Sequence, residues 1–346
     1  MKENMLRHKI AVGGFALVLV MVVVTGFHSA AKPDNAVIEI AARQSAQIAR
    51  SISHKVEVTL AKQANLASTI AGEKSVMDAA DKVKLAGAAA AGWEIEAANA
   101  YLEQVMTNSS GNYEGLSLLN ANGGVITGVQ GGLDPGSNPF AREAFDTART
   151  GKVGIGSPVK SEETGSVVVH ICAPILNARG EFVGGISAAV NIGFLLERIN
   201  NTRFGETGYA FMVDKKGKVI GHPGQDLMPS MNLTAEKETK NVGQGMISQK
   251  TGMESYTYRG EKRHVGFTPV ELAGWSVGFT RNSAEMVTSS RLIGYTLGFM
   301  GMILLCLTMG TSLLPHLRRM TFHADPVVAG LREGIKHATS AAFRIY

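Results

Sequence analysis

Residues 208–223 read GYAFMVDKKGKVIGHP, and this stretch decides the fold. Tyr209 to Val213 is a short run of strand formers, Asp214-Lys215-Lys216-Gly217 is a polar turn, and Val219-Ile220 begins a second run. The pattern is strand, turn, strand, with Tyr209, Asp214 and Gly217 as fold residues of the hairpin. Residues 115–129, GLSLLNANGGVITGV, repeat it, the turn now being Asn120-Ala121-Asn122-Gly123-Gly124. A unit that recurs within one chain points to two similar modules in tandem.

Working outward, the first hairpin is followed by a helical stretch at 140–149 and strands at 153–159, 167–175 and 182–192. Asn177-Ala178-Arg179-Gly180 turns the chain between the last two, and a helix at 193–201 leads out. Behind the second hairpin come strands at 252–259, 264–269 and 275–281. Successive short strands joined by turn residues make antiparallel sheets, so the fold class is α/β, of the α+β kind. Upstream, Ile48, Ile52, Val56, Leu60, Leu66 and Ile70 recur at helical spacing with no Gly or Pro from Asp34 to Ala71. They predict one long helix of about 55 Å. Its apolar stripe predicts a parallel homodimer through that helix. A second helix is expected from Ala79 to Met106, carrying Trp93 and Tyr101.

Two apolar runs, Ile10 to Phe27 and Leu292 to Leu314, contain no Asp, Glu, Lys or Arg, and each is long enough to cross a bilayer. Lys2, Arg7 and Lys9 precede the first and Arg318-Arg319 follow the second, which puts both flanks in the cytoplasm. A cleaved signal peptide is the competing reading of the first run; its length and the His28-Ser29-Ala30-Ala31 sequence argue against it. The expected layout is a cytoplasmic 1–9, a span at 10–27, an outer domain at 28–291, a span at 292–314 and a cytoplasmic 315–346. Within the outer domain lie the long helix, 34–72, a module at 73–202 distal to the membrane, and a module at 203–282 proximal to it.

The formal charge of +5 is spread thinly, with no footprint for nucleic acid. Cys172 and Cys306 are the only cysteines, one in an outer strand and one inside a span, so neither a disulfide framework nor a zinc cluster is expected. No metal motif, phosphate loop or nucleophile elbow occurs, so no cofactor is expected.

NPFAREAFDTARTGKVGIGSPV from Asn138, VVVHICAPILNARGEFVGGISAAVNI from Val167, and GYAFMVDKKGKVIGHP, in that order behind a long helix, resemble the double Cache sensor domain over roughly 34–282. That family forms the extracytoplasmic half of bacterial chemoreceptors, sensor histidine kinases and related transducers. The resemblance implies two PAS-like Cache modules hung on the long N-terminal helix, flanked by the two transmembrane helices, with ligand in the membrane-distal module. It also implies the inner membrane as location. A subset resembling amino-acid receptors carries a Tyr, an Arg-x-Trp-Tyr and a later Asp, in which Arg holds a carboxylate and Asp an ammonium. Those positions fall here on Leu133, Asn138, Phe140, Ala141 and Ala189, so both charge partners are missing. A free amino acid is therefore not the expected ligand.

The residues left to line a distal site are Asn138, Phe140, Arg142 and His170, which suit a small organic acid or another polar metabolite. A protonated His170 would hold a carboxylate, and binding would then weaken as pH rises through the imidazole range. Equally, His170 is readable as a core histidine satisfied by backbone. Trp93 and Tyr101, eight residues apart, share a helix face and either lid the pocket or, for Trp93, pack in the core. Past the second span, Asp325-Pro326 and the stripe Val327, Val328, Leu331, Ile335 and Ala338 resemble the start of a HAMP linker, and a signalling domain is expected beyond this chain or on another polypeptide. The function expected is a transmembrane chemoreceptor-type sensor without chemistry of its own. The alternatives are the input half of a histidine kinase or diguanylate cyclase, an envelope enzyme anchored at both ends, and a passive adhesin or scaffold.

Overall fold

The structure, a computed structural model, describes residues 35–109, 111–130, 135–224 and 231–286, with 296, 298–303 and 333 beyond them. The chain separates into Asn35–Met286 and a second unit made of Met1–Asp34 with Val287–Tyr346. Nearly all of that second unit, including the span expected at 10–27 and most of the one at 292–314, lies outside the described residues, as do the HAMP-like positions. Among the described residues no helix is both long and apolar enough to cross a membrane. Residues 298–303 are helical, and Phe299, Met300, Met302 and Ile303 expose their apolar side chains.

Helix α1, Asn35–Ala71, is the expected rod. It packs along both sheets of the unit. Val56 and Leu60 are fully buried, each burial stabilising by about 1.5–3 kcal/mol. Ala41, Ala42, Ala49, Ala64 and Ala67 fill the rest of that face, so the helix backbone can sit close to the strands. Contact is closest at Gly266, where an added Cβ would lie 2.1 Å from the Ala46 nitrogen. Ser53 Oγ donates to the Pro269 carbonyl, and Glu57 accepts from the Leu272 N–H at 2.9 Å. The stripe proposed for dimer contact, Ile48, Ile52 and Leu60, thus faces the protein's own modules; among the described side chains the large apolar ones that α1 exposes are Ile40, Val58 and Leu66.

The single helix expected at 79–106 is two, α2 (Lys74–Ala86) and α3 (Gly92–Asn108). Gly87, at φ +82°, ends the first, in a conformation that costs little without a Cβ, and a short 3-10 turn joins them.

The first module's sheet has the order β2-β1-β6-β5-β3, with β4 also on β5. Its strands are β1 (Tyr113–Asn120), β2 (Val125–Val129), β3 (Gly154–Ile155), β4 (Val159–Lys160), β5 (Val167–Leu176) and β6 (Phe182–Asn191). One strand was expected over 153–159; instead it is interrupted at Gly156-Ser157-Pro158, where proline has no N–H to give the ladder. Helix α4 (Pro139–Ala148) covers the sheet, and α5 (Gly193–Asn200) leaves it. The second sheet has the order β10-β11-β12-β8-β7, with β9 on β8. It comprises β7 (Arg203–Phe204), β8 (Gly208–Val213), β9 (Val219–Gly221), β10 (Gly252–Tyr258), β11 (Glu261–Val270) and β12 (Trp275–Asn282), with helix α6 (Lys240–Ile247). Strand β7 and helix α6 carry too short a pattern to have been anticipated.

Each sheet has two faces of different character. Val169, Ile171, Ala173 and Ile175 of β5 join α1, α2 and α3 in a core that continues into the second module through Met212, Val277 and Phe279. The other face of the first sheet carries Leu119 and Cys172 against Ala144, Phe145 and Ala148 of α4.

Candidate functional site

Side chains alternate across a strand, so His170 shares the α4-facing side of β5 with Cys172, away from Val169 and Ile171. Across that face the ladder sets Gly115, Ala189 and His170 in one row, and Ser117, Ser187 and Cys172 in the next. The strip is made of small and polar residues. His170 is 1% exposed, and Ser117 and Ser187 are buried with it.

Asn138 holds the strip to α4. As N-cap of that helix its side-chain oxygen accepts from the N–H groups of Phe140 (2.9 Å) and Ala141 (3.2 Å). This leaves its amide nitrogen, which can only donate, 3.4 Å from His170 Nε2. Nε2 is then the acceptor of a long bond, and the neutral ring carries its hydrogen on Nδ1. That Nδ1 is buried and has no partner among the described residues, as is true of Ser187 Oγ and Ser157 Oγ. A buried donor left unpaired costs about 1–3 kcal/mol, so an acceptor for His170 Nδ1 would be stabilising.

The electrostatics are those of a neutral site. Burial pushes the His170 imidazole down to about 4, with the Glu114 carboxylate pulling the other way. His170 is therefore uncharged at neutral pH, against the expectation of a protonated ring. Burial also pushes the Cys172 thiol up to about 12, so it is inert. Arg142 is exposed, pairs with Asp146 at 3.1 Å along α4 and lies 5.9 Å from the Phe145 ring centre. Phe140 is half-buried at the start of the same helix, its carbonyl so near Gly156 that a Cβ there would clash. The Gly156 N–H donates to the His170 carbonyl at 2.9 Å.

Of the residues proposed from sequence, the fold brings Asn138 and His170 together, with Phe140 next to the cap. Ala189, the position read as a missing Asp, is the direct ladder partner of His170. Tyr101 packs against the α1–α3 core on the opposite face of the sheet, where burial and Glu73 raise its phenol. Trp93 is 78% exposed on α3, which overturns its reading as a core residue. Neither reaches the His170 face as a lid. Leu133 lies outside the described residues. Ser157, Ser187 and Glu143 went unread; the small-residue alternation in GGISAAV was the only hint of Ser187. Glu143 of α4 accepts from the Ser157 N–H at 3.0 Å and pairs with Lys215 of the second module's hairpin turn. Among the described residues no three His, Cys, Asp or Glu side chains gather where they could hold a metal.

A family model described as Cache domain matches residues 34–290. The chain is 30% identical over 154 residues to the methyl-accepting chemotaxis protein McpA of Pseudomonas putida, covering 43% of this chain and 22% of that protein. It is 31% identical over 150 residues to the methyl-accepting chemotaxis protein McpA of Bacillus subtilis, covering 43% and 21%. The matches thus span about a fifth of the length of these relatives. Among solved structures, the sensory domain of the Campylobacter jejuni chemoreceptor Tlp3 with isoleucine bound superposes with a TM-score of 0.53 at 14% identity, covering 75% of this chain and 99% of that one. At that identity the likeness is one of fold.

Proposed function

The chain belongs to the Cache domain family, and from that premise we propose that it is the sensing part of a membrane-anchored, chemotaxis-type receptor that binds a small polar ligand at the His170 face of its first module. The observation that carries this reading is the buried Nδ1–H of His170, which has no partner among the described residues while Nε2 faces Asn138. The ligand supplies an acceptor there. The charge-free runs at 10–27 and 292–314 support two spans, with the first module distal and the second proximal to the membrane and the domain outside the cell or in the periplasm of a bacterial inner membrane. The exposed apolar side chains at 299–303 agree with a lipid environment.

Ligand at this face presses on α4, whose Glu143 reaches the second module, and small shifts there pass to the segment that precedes the second run. Differential affinity for two arrangements is the only energy needed. The chain performs no chemistry in this reading, in which His170 is neutral and the Cys172 thiol is inert. Without the Arg and Asp of amino-acid receptors, a small organic acid or another polar metabolite that accepts from the neutral Nδ1–H fits better than a free amino acid. A homodimer through the exposed side of α1 completes the receptor.

The test is calorimetric titration of the full chain in detergent with a panel of sugars, polyols, amides, organic acids and amino acids. One class should bind, and His170→Gln should weaken it about tenfold, the value of one buried hydrogen bond. Binding of every class unchanged by His170→Gln and Asn138→Asp, the latter keeping the helix cap, removes the His170 face as the site.

A further inference from the structure

The corresponding face of the second module carries a groove lined mainly by apolar and aromatic side chains. Beneath α6 this shallow, solvent-open groove is lined by Tyr209, Phe211, His222, Tyr256 and Tyr258. Four of those five are phenyl or phenol rings, which offer faces and edges to a flat aromatic guest.

Arg259 stands over Tyr258 at 5.4 Å, and further polar groups gather around His222. The His222 ring meets Tyr209 edge-on, centroids 5.0 Å apart. Its Nδ1 accepts from the Gly224 N–H at 2.9 Å, a contact shorter than the 3.3 Å from Nδ1 to the Gly224 carbonyl, so the hydrogen of the neutral ring sits on Nε2. Two guanidinium groups approach the Tyr209 ring, Arg263 at 5.0 Å and Arg203 at 5.9 Å from its centre. Arg263 is committed, to Glu261 at 3.0 Å and the Thr207 carbonyl at 2.9 Å. Arg203 is exposed and makes no ion pair among the described residues. A donor and an uncompensated cation therefore stand at the edge of an aromatic slot.

We infer that this groove binds a small aromatic carboxylate, its ring among Tyr209, Phe211, Tyr256 and Tyr258 and its carboxylate accepting from His222 Nε2–H and pairing with Arg203. The site is separate from the His170 face and stands whether or not that one binds ligand. A charge-assisted contact of this kind is worth roughly 1.5–3 kcal/mol, enough to separate an acid from its neutral amide by about tenfold or more.

Calorimetric titration of the full chain in detergent with benzoate, benzamide and acetate tests it. Benzoate should bind at one site, with benzamide and acetate at least tenfold weaker. Arg203→Gln, on the surface, should weaken benzoate about tenfold without changing the melting temperature, as should His222→Gln, and His170→Gln should leave it within about twofold. The proposal is overturned if millimolar benzoate gives no heat, if acetate or benzamide binds as well, or if benzoate responds to His170→Gln and not to Arg203→Gln.

Discussion

Glu143 on helix α4 of the first module forms an ion pair with Lys215 in the hairpin turn of the second, while also accepting the Ser157 N–H beside the His170 strip. Burial pushes the Glu143 carboxyl up, but the Lys215 ammonium and the Ser157 N–H outweigh it and hold it below the usual carboxylate range. One side chain thus joins the candidate site to the neighbouring module. Glu143→Gln and Lys215→Met should each cost about 0.5–1 kcal/mol, since the lysine is partly solvated, and a double-mutant cycle in urea should return a coupling of that order. A coupling of zero would mean that the pair ties nothing together.

Burial of His170 makes stability depend on pH in a defined direction. Its folded value of about 4 lies below the ordinary 6.5. Between these values the unfolded chain binds a proton that the folded chain does not, so stability is complete above about pH 6.5 and falls as pH drops toward 4, by up to roughly 3 kcal/mol. Thermal unfolding at pH 7 and pH 5 should show this loss in the wild type and a smaller one in His170→Gln. Equal losses would place the sensitive group elsewhere.

Glu285 closes the C-terminal end of the second sheet. It accepts from the N–H groups of Glu206 (3.2 Å) and Thr207 (2.9 Å), from the Thr207 hydroxyl, and from Arg281 at 2.9 Å. Burial pushes its carboxyl up, but these donors prevail and pull it to about 2. The resulting stability is present above about pH 4.5 and lost as pH falls through 2, and is on the order of 2 kcal/mol after allowing for solvent. Glu285→Gln should remove most of it at pH 7, read as a lower denaturant midpoint. An unchanged midpoint would show that the donors are satisfied without the carboxylate.

The outward side of α1 makes its own prediction for the proposed dimer. Ile40 and Val58 are 59% and 55% exposed, and eighteen residues, close to five full turns, set them on one line of the helix, whereas Leu60 is fully buried. Single cysteines at Ile40 and Val58 should crosslink to themselves in membranes, and one at Leu60 should not. Crosslinking at none of the three rules out a dimer through this helix.

How much of this was legible in the sequence depends on the range of the interaction. The rod from Asn35 to Ala71 and nearly every strand follow from local spacing, because a helix or strand must show its period to bury one face. The repeat of the strand-turn-strand unit likewise announced two modules. Breaks set by single residues were less visible: Gly87 divides one expected helix, and Pro158 interrupts one expected strand.

The candidate site was half legible. Residue type singled out Asn138 and His170, but only strand pairing and the cap of α4 bring them to 3.4 Å and settle which ring nitrogen faces away. The spacing of Trp93 and Tyr101 was read correctly as one helix, yet which side of the sheet that helix covers is decided by packing between distant segments. So are the neutrality of His170, which comes from desolvation, and the reach of Glu143 to Lys215, seventy-two positions along the chain. Sequence determined the elements, whose hydrogen bonds and periods are local. Tertiary structure alone decided faces, charge states and contacts, because burial and pairing depend on what the rest of the chain places alongside.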